Sequence, residues 1–344
     1  MGIKYSLPES LSSYHDAVRI ELEKVIDCGP AVLRNMLRYH MGWQDELGHP
    51  SSRESGKFIR PTLCLLSCTA VGGDALQILP AAAAVELIHN FSLIHDDIED
   101  ASCERHHRPT VWKLWGQSQA INAGDAMFTL AYLALLKLKE NGIADEKITG
   151  STELLSLACL KLCEGQYLDV EYENRFDITI EDYLDIAAKK TAALIAAATS
   201  LGAYLGSEDS KLVDSFHLFG EELGVAYQIY DDILGIWGTE ESTGKSASDI
   251  SQRKKTLPVL YGLQNSKGDE RERLEKLYSQ KSIGDEGVTE VIKILDQLGA
   301  RDYAQNLAEQ YYQKALIELE ATGLDTSRQA PLKEASGFLL KRNF

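Results

Sequence analysis

An apolar, alanine-rich run, Leu79 to Ile94, passes almost directly into Asp96, Asp97, Glu99 and Asp100. Like charges at helical spacing repel one another, so this acidic end works against the helix it closes. At about 100° per residue, Asp96 and Asp100 share one face, a turn apart. Two acids so placed suit a hard, oxygen-seeking cation, and Mg²⁺ commonly takes one or two carboxylates together with substrate phosphates. A solvated acidic helix end would read the same in isolation. The stretch Tyr227 to Gly235 repeats the theme, with Asp231 and Asp232 closing a second apolar helical run. Two acidic pairs far apart in sequence predict two helices presenting carboxylates to one cavity, a metal–diphosphate site.

Nearly every ordered segment shows the helix period, and strand alternation is scarcely found. Ser13 to Tyr39 reads as two amphipathic helices broken near Gly29-Pro30. Arg60 to Val71 follows a polar loop, Gly42 to Gly56, with Pro61 suited to a first helical position. A charged loop, Ala101 to Pro109, comes after the first acidic stretch. Asn122 to Leu138, Thr152 to Tyr172, Ile180 to Gly206 and Leu212 to Ile236 read as helices. Gly238 to Thr256 is a long loop, a length that usually signals function or disorder. Gly262 to Gly287 is a charged surface region with one short helix, and Gly287 to Leu340 gives two or three more. No linker or shift in composition divides the chain. The fold class is all-α: a single large helical bundle over residues 1–344, its active site in the bundle core.

Charge narrows the function. With 52 acids against 35 bases the net charge is −17, which disfavours nucleic acid and anionic lipid as partners. Cys64/Cys68 and Cys159/Cys163 stand at helical spacing without metal-type pairing and read as small buried hydrophobes. The N-terminus lacks a basic region followed by an apolar core. Thr191 to Gly206, the longest uncharged small-residue run, is too short to span a bilayer. A soluble cytoplasmic protein without an integral membrane segment is expected. An acidic protein that binds a diphosphate must still supply cations locally, and they stand beside loops and motifs. They are Lys57 and Arg60 at a helix start, Arg105 to Arg108 after the first acids, Lys189-Lys190 within an apolar helix, and Lys245 with Arg253 to Lys255. No Ser/His/Asp or Cys/His nucleophile constellation accompanies them.

In one order the chain carries Gly56-Lys57-x-x-Arg60-Pro61, His89-Asn90-x-Ser92-Leu93-x-His95-Asp96-Asp97-x-x-Asp100, Arg105 and Arg108-Pro109-Thr110. Asn122-Ala123-Gly124-Asp125, Gly165-Gln166-x-x-Asp169, Lys190-Thr191-Ala192, Gln228-x-x-Asp231-Asp232, Gly244-Lys245 and Lys255-Thr256-Leu257-Pro258 follow. With these the chain resembles the trans-isoprenyl diphosphate synthases (the polyprenyl synthetase family), from about Gly56 to Pro258. The resemblance implies an isoprenoid-synthase bundle with a central cavity. It implies about three Mg²⁺ ions, two on Asp96 and Asp100 and a third on Asp231, with Asp97 and Asp232 in the same catalytic acidic pairs. Arg105, Lys190, Thr191, Gln228 and Lys245 would contact an allylic diphosphate (dimethylallyl, geranyl or farnesyl), with Lys255 nearby. Lys57, Arg60 and His89 would hold isopentenyl diphosphate. Metal and cations would stabilise the leaving diphosphate, the allylic C–O bond would ionise, and the isopentenyl double bond would attack C1 before a proton is lost.

Three positions depart from the family pattern. Gly235 stands where the second motif usually ends in Asp, leaving Asp232 or water as a substitute ligand. Arg105-His106-His107 replaces Arg-Arg-Gly, so an isopentenyl diphosphate contact falls to His106 or Arg108. Phe58 takes a place often held by Arg. A class I terpene synthase and a non-catalytic subunit of a heteromeric synthase are the rival readings; Lys57, Arg60 and His89 argue against the first and the complete first acidic motif against the second. Phe91, five residues before Asp96, and the small Ser92 mark the chain-length positions. An aromatic at that place resembles synthases that stop at geranylgeranyl diphosphate (C20), with C15 as runner-up. The apolar surface of Ala187 to Gly206 and Gln119 to Leu136, together with the resemblance, suggests a homodimer.

Overall fold

The alanine-rich run folds, with its acids attached, as one helix around which its neighbours pack. The computed structural model of the chain describes residues 8–51, 56–238 and 248–340. Its helices begin with α1 (Glu9–Ser12), α2 (His15–Asp27), α3 (Ala31–His40), α4 (Ile59–Ala70), α5 (Leu79–Glu99), α6 (Val111–Trp115), α7 (Gln117–Leu136) and α8 (Asp145–Tyr172). They continue as α9 (Ile180–Ile186), α10 (Ala193–Gly206), α11 (Ser210–Trp237), α12 (Ser248–Ser251), α13 (Leu257–Asn265), α14 (Asp269–Tyr278), α15 (Asp285–Gln297), α16 (Ala300–Ala321) and α17 (Thr326–Leu340). Among the described residues the strands are two-residue pieces, β1 (Glu104–Arg105) and β2 (Arg108–Pro109), paired antiparallel. The architecture is the all-α one that the periodicity predicts.

The chain forms two compact units. The first takes Met1–Leu160, Leu194–Gly220 and Glu318–Ser336. Here α5 is buried on nearly every side from Pro80 to Asn90, as expected of a helix apolar all round. Helices α2, α4 and α7 pack on it, α7 most extensively. Small residues on both sides, Ala81 to Ala84 on α5 and Ala120, Ala123, Gly124, Ala131 and Ala134 on α7, are fully buried or nearly so. Gly124 fixes the closest approach, because a Cβ there would stand 2.2 Å from Nε2 of His95.

The second unit takes Lys161–Ala193, Glu221–Ile317 and Gly337–Phe344. One of its clusters joins Tyr183, Ala187, Ala192, Val225, Ile229 and Ile233 to Leu257, Leu260, Ala304 and Ala308. A second gathers Ile236, Ile250, Val259, Leu263, Leu274, Val291 and Leu295. Thr179 and Asp182 form a reciprocal capping box at the start of α9.

Several sequence expectations are corrected. Pro61 is the third residue of α4, not the first. Ala101 to Pro109 is not all loop, since it holds the hairpin, whose strands are too short to show alternation. Helices α7 and α8 begin earlier than expected, at Gln117 and Asp145, because their first turns are polar and solvated. Ile180 to Gly206 is not one α-helix: a π turn over Ala187–Ala192 interrupts it. From Thr191 to Ala203 it is buried throughout, so of the two helices expected to present apolar surface only α7 exposes large apolar side chains. Cys64, Cys68 and Cys159 are buried as expected, but Cys163 is exposed. Gln117–Asn141 is long and apolar enough to cross a bilayer, yet its buried side is packed along α5, as in a core helix.

Candidate active site

In the first unit the acidic end of α5 divides by orientation. Asp97 is buried, and Arg105 clamps it, its Nε donating to Oδ1 at 3.0 Å and Oδ2 at 3.1 Å. Nη2 of Arg105 also reaches Oδ2 of Asp96 at 3.4 Å. Asp96 and Asp100 remain partly open. Asp100 still belongs to the helical turn, its N–H donating to the Asp96 carbonyl at 2.9 Å. The two acids expected to hold metal are thus the open ones, and Asp97 positions an arginine. Among the described residues no three His, Cys, Asp or Glu side chains converge as a ready metal cage. A pair fits Mg²⁺ better than a cage does, because this ion keeps waters and binds through one or two carboxylates plus phosphate oxygens.

Beside the acids lies a concentration of positive charge. Arg60 has only donors, so its Nη1 gives a hydrogen bond to Nε2 of His89 at 3.2 Å, which fixes the His89 tautomer. Nε of Arg60 is buried and has no hydrogen-bond partner among the described residues. A buried charged donor left unsatisfied is costly and invites an anion. Burial drives the His89 imidazole well below its usual range, and Arg60, Arg105, His40 and His106 push the same way. His106 is lowered by burial and by Arg105, His107, Arg108 and Lys57. Three imidazoles held neutral, first by burial and then by neighbouring cations, mark a place arranged for negative charge.

The third imidazole, His40, carried no signal in the sequence. It ends α3, is hydrogen-bonded to the Asn90 side chain, and is lowered to about 3, first by burial and then by Arg105 and His106. Asn90 in turn donates to Oε1 of Glu86 at 2.9 Å. Glu86 is pushed up to about 7 by burial, against the pull of Arg60 and Asn90. Its raised pKa contributes stability that is complete below about pH 4.5 and lost as pH rises through 7. Glu86→Gln keeps the acceptor for Asn90 and removes the charge. The variant should therefore exceed wild type in stability by on the order of 2 kcal/mol at pH 8, and the gain should vanish by about pH 4.5. Urea midpoints measured across that range test it.

The hairpin explains the local departures from the family pattern. Arg105 pairs with Arg108, leaving His106 and His107 as a two-residue turn with φ of 51° and 57°. Such a turn needs positive φ at both central positions, which histidine tolerates better than most side chains. Arg108 is committed elsewhere: it donates to the carbonyls of Tyr39 (2.9 Å) and Gln44 (2.8 Å) and stacks on the Tyr39 ring. His106 is left as the hairpin imidazole that lies in the field of Lys57. Phe58 is buried against His15 with φ of 46°, so it is a core residue, not a lost basic contact. Phe91 is nearly buried, its ring edge-on to Phe128 at 5.3 Å and His95 at 5.5 Å. Ser92 donates to the His89 carbonyl of its own helix at 2.7 Å.

In the second unit Lys189, Lys190 and Thr191 ride on the π turn, a distortion often found at functional sites. Two glycines let neighbouring helices press on it: a Cβ at Gly165 would lie 2.4 Å from N of Lys190, and one at Gly224 2.4 Å from Cα of Ala192. Lys190 Nζ donates to Asp169 at 2.6 Å, and Lys189 to Glu164 and Asp185 at 2.8 and 2.7 Å. Thr191 donates to Oε1 of Gln228 at 2.5 Å, and Gln228 Nε2 to Oδ1 of Asp232 at 2.8 Å. Oδ2 of Asp232 accepts from N of Leu257 at 3.0 Å, at the first turn of α13. Burial pushes Asp232 up to about 7 despite these bonds. Asp232 is therefore a buried helix-capping acid, which argues against it as the substitute ligand for Gly235. Lys255 donates to the carbonyls of Tyr172 and Arg175 at the end of α8 and lies over the Phe176 ring, holding a helix terminus. Lys245 lies outside the described residues.

The polyprenyl synthetase family profile matches residues 43–295. A (2E,6E)-farnesyl diphosphate synthase of Mycobacterium tuberculosis is 34% identical over 332 residues, covering 95% of this chain and 91% of that protein. A geranylgeranyl diphosphate synthase of the same organism is 37% identical over 308 residues, covering 85% and 86%. The crystal structure of a polyprenyl synthetase from Streptomyces coelicolor A3(2) superposes with a TM-score of 0.88 at 33% identity, covering 96% of this chain and 99% of that one.

Proposed function

The chain belongs to the polyprenyl synthetase family, and on that premise we propose that it condenses isopentenyl diphosphate with an allylic diphosphate to give an all-trans product, chiefly C20. Membership makes it a trans-prenyltransferase, and the chemistry of the family is Mg²⁺-dependent. In this reading Asp96 and Asp100 would hold two Mg²⁺ and Asp231 a third. Arg105, Lys190, Thr191 and Gln228 attend the same substrate, with Lys245 assigned from the motif alone. Bound Mg²⁺ would supply charge neutralisation for the departing diphosphate. The protein's part is to orient both substrates, keep water from the allylic cation and hold cations where diphosphate charge develops. The reading treats the 344 residues as one catalytic domain and the protein as cytoplasmic.

One observation carries the proposal: the buried Nε–H of Arg60 without a partner, next to His89 and in a cluster that includes Lys57 and His106. A terpene synthase needs one diphosphate site, whereas this cluster supports a second. Lys57→Ala should raise KM for isopentenyl diphosphate about tenfold, and Lys190→Ala should act mainly on the allylic substrate. Varying each substrate in turn checks this, and the opposite pattern would overturn the assignment. His106→Arg should be tolerated or tighten isopentenyl diphosphate binding.

A homodimer is part of the same proposal. On α7 and α8, Leu133, Leu136, Leu157 and Leu160 are 50–68% exposed, and Ser156 donates to the Tyr132 hydroxyl at 3.2 Å where the two helices meet. Four large exposed apolar side chains on two helices that meet fit an obligate interface. Light scattering at micromolar concentration should give twice the 38.1 kDa chain mass, and a monomer would count against it.

A further inference from the structure

Gly235 lacks the carboxylate with which the second acidic motif usually ends, and another part of the chain occupies the space that this leaves. A Cβ at Gly235 would lie 1.9 Å from Oδ2 and 2.5 Å from Cγ of Asp249. No side chain fits at 235 while Asp249 keeps its place, so the Asp249 carboxylate stands where an acid at 235 would begin. That placement is braced from several directions. Ile250 is fully buried in the second cluster of the unit, and the Asp249 carbonyl accepts from N of Lys254 at 2.9 Å. Ser251 accepts from N of Ile283 at 3.3 Å, and Arg253 donates to the Tyr278 carbonyl at 3.3 Å.

The neighbouring charges place Asp249 with the second acidic stretch. Its carboxylate lies in the field of Asp231, and Asp232 lies in its field, with Lys254 as the opposing charge. Asp232 is already occupied with Gln228 and the first turn of α13. Asp231 and Asp249, whose charges face one another, are the pair beside it. A pair of carboxylates is what a Mg²⁺ shared with phosphate oxygens requires.

We propose that Asp249 completes the second acidic site, serving with Asp231 the Mg²⁺ of the allylic diphosphate in place of the acid missing at Gly235. The proposal rests on the reading that Asp231 holds Mg²⁺. It makes Gly235 and Asp249 a matched pair: the glycine is required because the acid comes from outside the motif.

The test is binding of inorganic diphosphate by the intact protein, followed calorimetrically over a series of Mg²⁺ concentrations, with the melting temperature of the metal-free protein recorded beside it. Asp249→Asn should raise the Mg²⁺ concentration for half-maximal binding about 10- to 100-fold while leaving the metal-free melting temperature near wild type. A merely structural Asp249 would give the reverse. Gly235→Asp alone should lower the melting temperature, since its Cβ meets the Asp249 carboxylate. Gly235→Asp combined with Asp249→Gly should return both the melting temperature and the Mg²⁺ dependence towards wild type. A wild-type Mg²⁺ midpoint in Asp249→Asn overturns the proposal. If that variant does not fold, the exchanged pair decides: a wild-type midpoint supports the assignment and a weakened one overturns it. Asp231→Asn separates the two readings. If it shifts the midpoint and Asp249→Asn does not, Asp249 alone is misassigned; if neither shifts it while Asp96→Asn does, the second stretch does not hold metal at all.

Discussion

Asp96→Ala and Asp100→Ala should each lower kcat by about three orders of magnitude under saturating Mg²⁺. A single group that stabilises developing charge is typically worth about 10²–10³, and in the proposed reading each acid would support a metal that also orients the substrate. The structure sharpens the expectation by separating these acids from Asp97. Asp96 and Asp100 are open on one face of α5, whereas Asp97 is buried under the Arg105 guanidinium. Asp97→Ala should therefore act through Arg105, disturbing both folding and the allylic substrate, because it takes from a part-buried charge its nearer carboxylate and leaves the longer contact to Asp96. Steady-state turnover with both substrates decides the matter. If Asp96→Ala or Asp100→Ala kept more than about a tenth of wild-type turnover, the metal clamp would be wrong.

Phe91→Ala should shift the products to longer chains at a similar rate. The helical wheel does not select Phe91, which sits about 140° around from Asp96, while Ser92 is about 40° away. Ser92 is small and its hydroxyl is spent on its own helix, so it cannot be a floor. Phe91 belongs to an edge-to-face series with Phe128 and, through Phe128, Tyr132. Removing one ring leaves the next standing, so Phe91→Ala/Phe128→Ala should lengthen products further than Phe91→Ala alone. Losing a largely buried phenylalanine costs about 3–5 kcal/mol, so melting temperatures are needed beside the product analysis. Mass spectrometry of the diphosphate products provides the readout. An unchanged distribution in the single variant would place the floor at Leu87 or Ile88, both fully buried one turn deeper on α5.

The sequence made legible what is local. The acids of α5, the glycine-bounded helices and the ordered motifs could be read because helical spacing and family pattern lie within short windows. What it hid depends on packing between distant segments. His40 reaches Asn90 from the end of another helix, and no motif marks it. Asp232 reads like Asp231 along the chain, yet the N–H of Leu257 takes it as a cap. Lys255 reads as a substrate cation, but α8 presents its terminal carbonyls to it. Gly235 reads as a lost ligand until the Asp249 carboxylate is seen where its Cβ would stand. In each case residue type announced the chemistry, and a partner far away in sequence decided its use.

The π turn acts as a phase shifter in the long helical run from Ile180 to Gly206. Ala187 and Ala192 are five residues apart and would lie about 140° from one another on an α-helix, yet both enter the same apolar cluster. The extra residue is taken up within one turn, which brings both alanines to the same cluster. It also splits the outlook of consecutive side chains: Lys189 turns to Glu164 and Asp185, Lys190 to Asp169, and Thr191 to Gln228. A uniform helix would have to trade the burial of its alanines against the aim of its lysines. Here one irregular turn sets the two separately, with Gly165 and Gly224 as the jaws that hold it.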